Sequence, residues 1–162
     1  MNGLIQKCAV VITIVAAGIA GWLAYQSTQY DFQTLDGETY SWNKLHGEWT
    51  VINYFAPWCA PCLREMPELN TLSRTLPAHT RLFAINYDRQ SREQLDEMVR
   101  KFSIDVPVIV AEDTTRLPMQ KPPYLPATFI IGPDGDVVDT IMGEVTAEGI
   151  KHRLAQLKSG AS

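Results

Sequence analysis

Two cysteines one helical turn apart, placed where an apolar strand gives way to a helix, constrain this chain more than any other feature. The segment is Trp58-Cys59-Ala60-Pro61-Cys62. Before it, Trp49-Thr50-Val51-Ile52-Asn53-Tyr54-Phe55 is β-branched, aromatic and largely apolar, as a strand buried on both faces should be. After it, Met66, Leu69, Leu72 and Leu76 recur at helical spacing. Cys59 therefore falls at a helix N-terminus. Only a thiolate attacks a disulfide, and an unperturbed cysteine, with a pKa of about 8.5, is mostly protonated at neutral pH. The unpaired N–H groups of a first helical turn and the positive end of the helix dipole favour the anion. Cys59 is thus read as the attacking thiol and Cys62, a turn further in, as the resolving one. Pro61 has no N–H to lose in a first turn, and its fixed φ stiffens the stretch between the sulfurs.

Other uses of the pair fit less well. A zinc site would need two more ligands, but Cys8 lies in the apolar N-terminal run and His46, His79 and His152 are scattered singly. A static disulfide across two residues closes too short a loop to add much stability by chain entropy. Redox chemistry is the reading that a C-x-x-C between strand and helix supports.

The start of the chain is the second constraint. After residues 1–7, with Lys7 as their one formal charge, residues 8–25 carry none and are rich in Val, Ile, Ala and Gly. As a helix they would be about 27 Å long, close to the ~30 Å hydrocarbon core of a bilayer. Lys7 precedes the segment, and the first charges after it are Asp31, Asp36 and Glu38. The positive-inside rule then puts residues 1–7 in the cytoplasm and the rest outside, with 8–25 as a single transmembrane anchor in the cytoplasmic membrane. The alternative is a cleaved signal peptide, for which Gly18-Ile19-Ala20 offers small residues at a processing spacing; the apolar run exceeds the ~7–15 residues usual there.

Residues 26–30 read as a polar spacer and 31–158 as one domain, large enough to bury a core of its own. Acidic residues outnumber basic ones, 18 to 14, with no basic run, so nothing points to nucleic acid. The pattern predicts a hairpin over 30–34 and 38–41 turned at Asp36-Gly37, a strand over 49–55, and a helix over 59–76 kinked by Pro67. A strand over 81–87, a helix over 91–102 capped by Ser91 and a strand over 106–111 complete a β-α-β-α-β order, which implies parallel strands. Strands over 127–131 and 136–143 pair around Pro133-Asp134-Gly135, and Thr146 opens a last helix to about 157.

Phe55-Ala56-Pro57-Trp58-Cys59-Ala60-Pro61-Cys62, Pro67 and Leu125-Pro126-Ala127-Thr128-Phe129 together resemble the thioredoxin fold. More narrowly they resemble the membrane-anchored, TlpA/ResA-like thiol-disulfide oxidoreductases, which include the cytochrome c maturation thioredoxins. The resemblance implies a three-layer α/β/α fold with a central mixed sheet. It also implies that Pro126 is cis and lies against the dithiol, with Leu125 pairing an incoming substrate strand and Trp58 and Pro61 shaping the site. Two positions depart from relatives. Asn53 stands where cytoplasmic thioredoxins carry a buried aspartate, and Asp88 is then a proton-transferring acid or else a solvated loop residue. In residues 112–125, where relatives place a helix, Pro118, Pro122 and Pro123 predict an irregular loop.

The function that follows is disulfide exchange with protein substrates outside the cytoplasmic membrane. Dithiol chemistry of this kind needs no organic cofactor or metal. The resemblance favours a reductase kept reduced by a membrane electron-transfer protein, acting for example in cytochrome c maturation. Two alternatives stay open: a DsbA-like disulfide donor, and a non-enzymatic copper or haem chaperone that uses Cys59 and Cys62 as ligands.

Overall fold

The computed structural model describes residues 12, 14–22 and 30–160. They fall into two units, Met1–Tyr30 and Asp31–Ser162. In the first, residues 14–22 form helix α1, and Ile14, Val15, Ile19 and Trp22 on it are all more than half exposed. Among the described residues no helix is long and apolar enough to cross a membrane. The expected segment 1–7, the remaining parts of 8–25 and most of 26–30 lie outside the described residues.

The second unit is built on a five-stranded mixed sheet. Its elements are β1 (Phe32–Gln33), β2 (Thr39–Tyr40), α2 (Trp42–Leu45), β3 (Trp49–Phe55), α3 (Ala60–Arg74) and β4 (Thr80–Asn86), followed by α4 (Arg92–Phe102), β5 (Val108–Ile109), β6 (Ala127–Ile131), β7 (Val137–Met142) and α5 (Ala147–Gly160). The sheet order is β5-β4-β3-β6-β7. Strands β3, β4 and β5 run parallel, as expected for helical crossovers, and β6 and β7 add antiparallel partners. β3 is thus central and every residue of it is buried, which explains its unbroken apolar run.

Alternation along β3 divides the core. Trp49, Val51 and Phe55 join Cys62, Met66, Leu69 and Leu72 of α3, Leu95 and Met98 of α4, and Ile150 and Leu154 of α5. Ile52 and Tyr54 join Phe32, Leu45, Phe83, Phe129 and Ile131 on the other face. The expected α/β/α layering therefore holds fully on one face only. On the second, the cover is the β1–β2 hairpin, the single turn of α2, and Leu117 and Met119 of the 112–125 segment. That segment is irregular as expected, because Pro118, Pro122 and Pro123 remove N–H donors and disfavour helical neighbours.

Local signals mark several boundaries. Ser91 Oγ accepts the Gln94 N–H while Gln94 Oε1 accepts the Ser91 N–H, a complete capping box for α4. Gly135 adopts φ of 87° in the β6–β7 turn, which a residue with a Cβ adopts only under strain. Other boundaries moved inward. The hairpin strands shrink to two residues each, β5 to Val108–Ile109, and α3 ends at Arg74.

Candidate active site: a disulfide at a helix start above a buried carboxylate

The dithiol lies where β3 hands over to α3. Cys59 is the N-cap of α3, in extended conformation, and its Sγ accepts the Cys62 N–H at 3.3 Å. That bond uses one of the helix's orphan donors on the sulfur expected to carry charge. The two cysteines are joined as a disulfide, with S–S 2.04 Å and Cα–Cα 5.3 Å. Cys59 retains 5% exposure and Cys62 none, so Cys59 is the sulfur nearer solvent. Pro61 occupies the first turn of α3.

The Leu125–Pro126 bond is cis. Tyr54 pairs with Ala127 in the antiparallel β3–β6 register, so Pro126 enters the sheet beside the end of β3 from which the dithiol loop leaves. The structure thereby brings residues 125 and 126 to the same end of the sheet as Cys59 and Cys62. Trp58 projects from this end at 63% exposure, and Tyr124 at 59%.

Asp88 is used by the indole: its Oδ2 accepts the Trp58 Nε1–H at 2.6 Å. Tyr87 stands edge-on to the Trp58 ring, centroids 5.9 Å apart, and Lys121 Nζ lies 3.5 Å over the Tyr87 ring. The 112–125 loop thus reaches the aromatic surround of the dithiol. Ion pairs Arg89–Asp113 and Arg92–Glu112 tie its start to the β4–α4 connection and α4.

The buried acid of this site is Glu65, which the sequence reading passed over. It lies three residues beyond Cys62 on α3 and is 2% exposed. Residues three apart share a helix face, and long helical side chains lean back toward the N-terminus, here toward Cys62. Glu65 Oε1 accepts from Asn53 Nδ2 at 2.8 Å and Oε2 from the Val145 N–H at 2.8 Å. Burial raises its pKa from the usual 4.5 to about 7. The two hydrogen bonds oppose that rise and the nearby Glu144 carboxylate adds to it. Glu144 itself pairs with exposed Arg64 at the rim. The signal was present in the sequence. Position 65 belongs to the same buried face as Cys62, Met66 and Leu69, and a carboxylate there has to find partners.

Asn53 is fully buried under α3 and donates a second time from Nδ2, to Thr128 Oγ1 of β6 at 3.0 Å. The buried carboxylate absent from position 53 of β3 therefore stands on α3, with the Asn53 amide as its partner. His46, His79 and His152 are exposed. Among the described residues no group of three His, Cys, Asp or Glu could hold a metal ion.

A mixed sheet with a disulfide-bonded cysteine pair at the end of its central strand, its first member capping the next helix, and a cis-proline strand entry at the same end of the sheet define the class: a thioredoxin-fold dithiol/disulfide protein. Residues 25–140 match the AhpC/TSA family, and the chain belongs to it. It is similar to the thiol-disulfide oxidoreductase ResA of Geobacillus thermodenitrificans, 28% identical over 84% of this chain and 79% of that one. Against ResA of Bacillus subtilis it is 25% identical over 97% of this chain and 90% of that one. Among solved structures, StoA from Bacillus subtilis superposes with a TM-score of 0.66 at 20% identity, covering 76% of this chain and 93% of that one, a likeness of fold.

Proposed function

We propose that this chain is a thiol-disulfide oxidoreductase that reduces disulfides in protein substrates outside the cytoplasmic membrane, through Cys59 and Cys62. The observation that carries the reading is the cysteine pair at the start of α3, with a backbone N–H directed at Cys59 Sγ and a buried carboxylate one turn below Cys62. In the reduced protein the Cys59 thiolate attacks one sulfur of the substrate disulfide, forming a mixed disulfide and expelling one substrate thiolate. The Cys62 thiol then gives its proton to the Glu65 carboxylate and attacks Cys59 Sγ. The Cys59–Cys62 bond forms, the bond to the substrate breaks, and the second substrate sulfur leaves as a thiolate. Two electrons pass from the protein dithiol to the substrate, and the two product thiolates take up the protons that Cys59 and Cys62 released.

The exposed Trp58 and Tyr124 and the strand entry at Leu125–Pro126 form the surface on which a substrate segment would lie. The extracytoplasmic setting rests on the apolar 8–25 run and its flanking charges, and the exposed apolar side chains of α1 support the same reading. In that setting a membrane electron-transfer protein regenerates the dithiol, and the disulfide of an apocytochrome c cysteine pair, reduced to its two thiols in cytochrome c maturation, is a fitting substrate.

The deciding experiment is the reduction potential of the Cys59–Cys62 couple together with insulin reduction. Turnover with a potential near about −270 mV supports the reductase, and one near about −120 mV makes the protein a disulfide donor instead. Tight copper binding by the reduced protein without turnover overturns the enzyme reading in favour of a chaperone.

A further inference from the structure

We propose that Arg64 and Glu144 form a charged clasp over Glu65 and are positioning residues for the resolving step, each biasing through its own field, and in opposite senses, the carboxyl group that receives the Cys62 proton. The role given to the pair rests on that reading of Glu65.

The clasp repeats, one residue earlier on each element, the bond that holds Glu65 inside. Glu65 Oε2 accepts the Val145 N–H at 2.8 Å. Arg64, the residue before Glu65 on α3, donates to Glu144, the residue before Val145, from Nε to Oε2 at 3.3 Å and from Nη2 to Oε1. A two-point guanidinium–carboxylate pair fixes geometry better than a single contact. One turn on, Glu68 Oε2 accepts the Ala147 N–H at 2.9 Å, so α3 is laced to the β7–α5 connection at three points. Glu65 is buried, while the Arg64 and Glu144 side chains are exposed. Such an exposed pair contributes little to stability, yet a field that reaches a buried carboxyl through protein is screened less than one in water.

Two charges of opposite sign therefore act on Glu65. Burial dominates its raised proton affinity, and the Glu144 carboxylate adds to it. The Arg64 cation works the other way, since a positive charge favours the ionised carboxylate. The other groups facing Glu65 are the neutral Asn53 amide from β3 and the Val145 N–H. Its remaining polar neighbours on α3 are Cys62 and Glu68, the latter bonded to the Ala147 N–H. A proton acceptor has to be ionised before the Cys62 thiol gives up its proton and basic enough to take it, a balance met best near the working pH. Glu144 alone would leave Glu65 protonated too early. Arg64 alone would leave it too weak a base.

The test uses the full chain in detergent micelles, with Cys8→Ser throughout to keep the third thiol out of the signal. NMR of the Glu65 carboxyl carbon in the oxidised form, where neither Cys59 nor Cys62 titrates, gives its midpoint between about pH 5 and 9. The resolving step is read in the reduced form with a symmetrical nitrobenzoate disulfide: Cys59 displaces the first aryl thiolate, and Cys62, its proton passed to Glu65, displaces the second. Arg64→Gln is expected to raise the Glu65 midpoint by about half a pH unit, roughly a threefold rise in proton affinity, and Glu144→Gln to lower it by about as much. Arg64→Lys keeps the charge without the two-point bond and should hold the midpoint in place. The pH profile of the second release should move with the midpoint. A brace of purely structural purpose loses the same ion pair in either glutamine variant, so both midpoints move the same way or not at all, and that result overturns the clasp. So does an Arg64→Lys shift as large as that of Arg64→Gln, a release profile that stays fixed while the midpoints separate, or a Glu65 that does not titrate in this range. Glu65→Gln separates the failures. If it resolves at the wild-type rate at every pH, the reading of Glu65 as proton acceptor falls, whereas slowed resolution beside unmoved or same-sense midpoints defeats the clasp alone.

Discussion

Trp58 Nε1 donates to Asp88 Oδ2 at 2.6 Å, so an indole next to the attacking cysteine is held by the loop that ends β4. Both groups are reached by solvent, and such bonds contribute about 1 kcal/mol or less. Asp88→Ala is expected to leave the unfolding free energy within about 1 kcal/mol of wild type and to change insulin reduction by only a few-fold. Trp58 emission should shift as its ring is released. A collapse of turnover in Asp88→Ala, with Glu65→Gln fully active, would transfer the proton-accepting role to Asp88.

Cys59→Ser is expected to abolish exchange altogether. Cys62→Ser should keep the first attack and accumulate mixed disulfides, visible on non-reducing gels, because nothing remains to resolve them. Cys59 caps the helix and is the less buried cysteine, and the expected order of roles rests on that. Trapping by Cys59→Ser instead would reverse them.

Glu65 gives the oxidised protein a pH-dependent stability of definite sign. Its folded pKa of about 7 lies above the usual 4.5, so between these values the folded state binds the proton more readily than the unfolded chain. Its contribution is fully present below about pH 4.5 and is lost as pH rises toward and through 7, on the order of 3 kcal/mol in total. Denaturant melts of the disulfide form at pH 5 and pH 8 should therefore show a fall in stability that Glu65→Gln largely removes. An equal fall in both proteins would assign the effect to other groups.

Two stability substitutions test the core and the cap. Leu69 is completely buried between α3 and the sheet, and Leu69→Ala is expected to cost about 2–5 kcal/mol. Ser91→Ala breaks the capping box of α4 and should cost about 1 kcal/mol. Urea midpoints on the oxidised form measure both.

The N-terminal segment is expected to remain attached. The protein should fractionate with membranes and resist carbonate extraction, because residues 8–25 carry no formal charge and Ile14, Val15, Ile19 and Trp22 of α1 are more than half exposed. Recovery of a soluble form starting near Gly21 would establish cleavage.

What the sequence determined by itself was whatever depends on near neighbours. β-Branched and aromatic runs marked β3, β4 and β6, helical spacing marked α3, and Ser91 marked the start of α4. The C-x-x-C placed its own chemistry, since the charge-favouring donors at a helix start lie within three residues of the sulfur. Three prolines forbade a helix in 112–125, though they could not say that Lys121 would lie over Tyr87.

The tertiary structure decided which polar groups meet across layers. Glu65 finds Asn53 across 12 residues and the Val145 N–H across 80, and Asn53 finds Thr128 across 75. Periodicity assigns a residue to a face, but the partner on that face is set by strand order and helix packing. The hairpin and β5 shrank for the same reason. β-Propensity allows a strand anywhere the pattern permits, whereas ladder hydrogen bonds extend only as far as a neighbouring strand continues. Asp88, read along the chain as a proton-transferring acid or else a solvated loop residue, bonds to Trp58 in space, while the buried acid stands on α3, where its partners were set only once α3 was packed on β3.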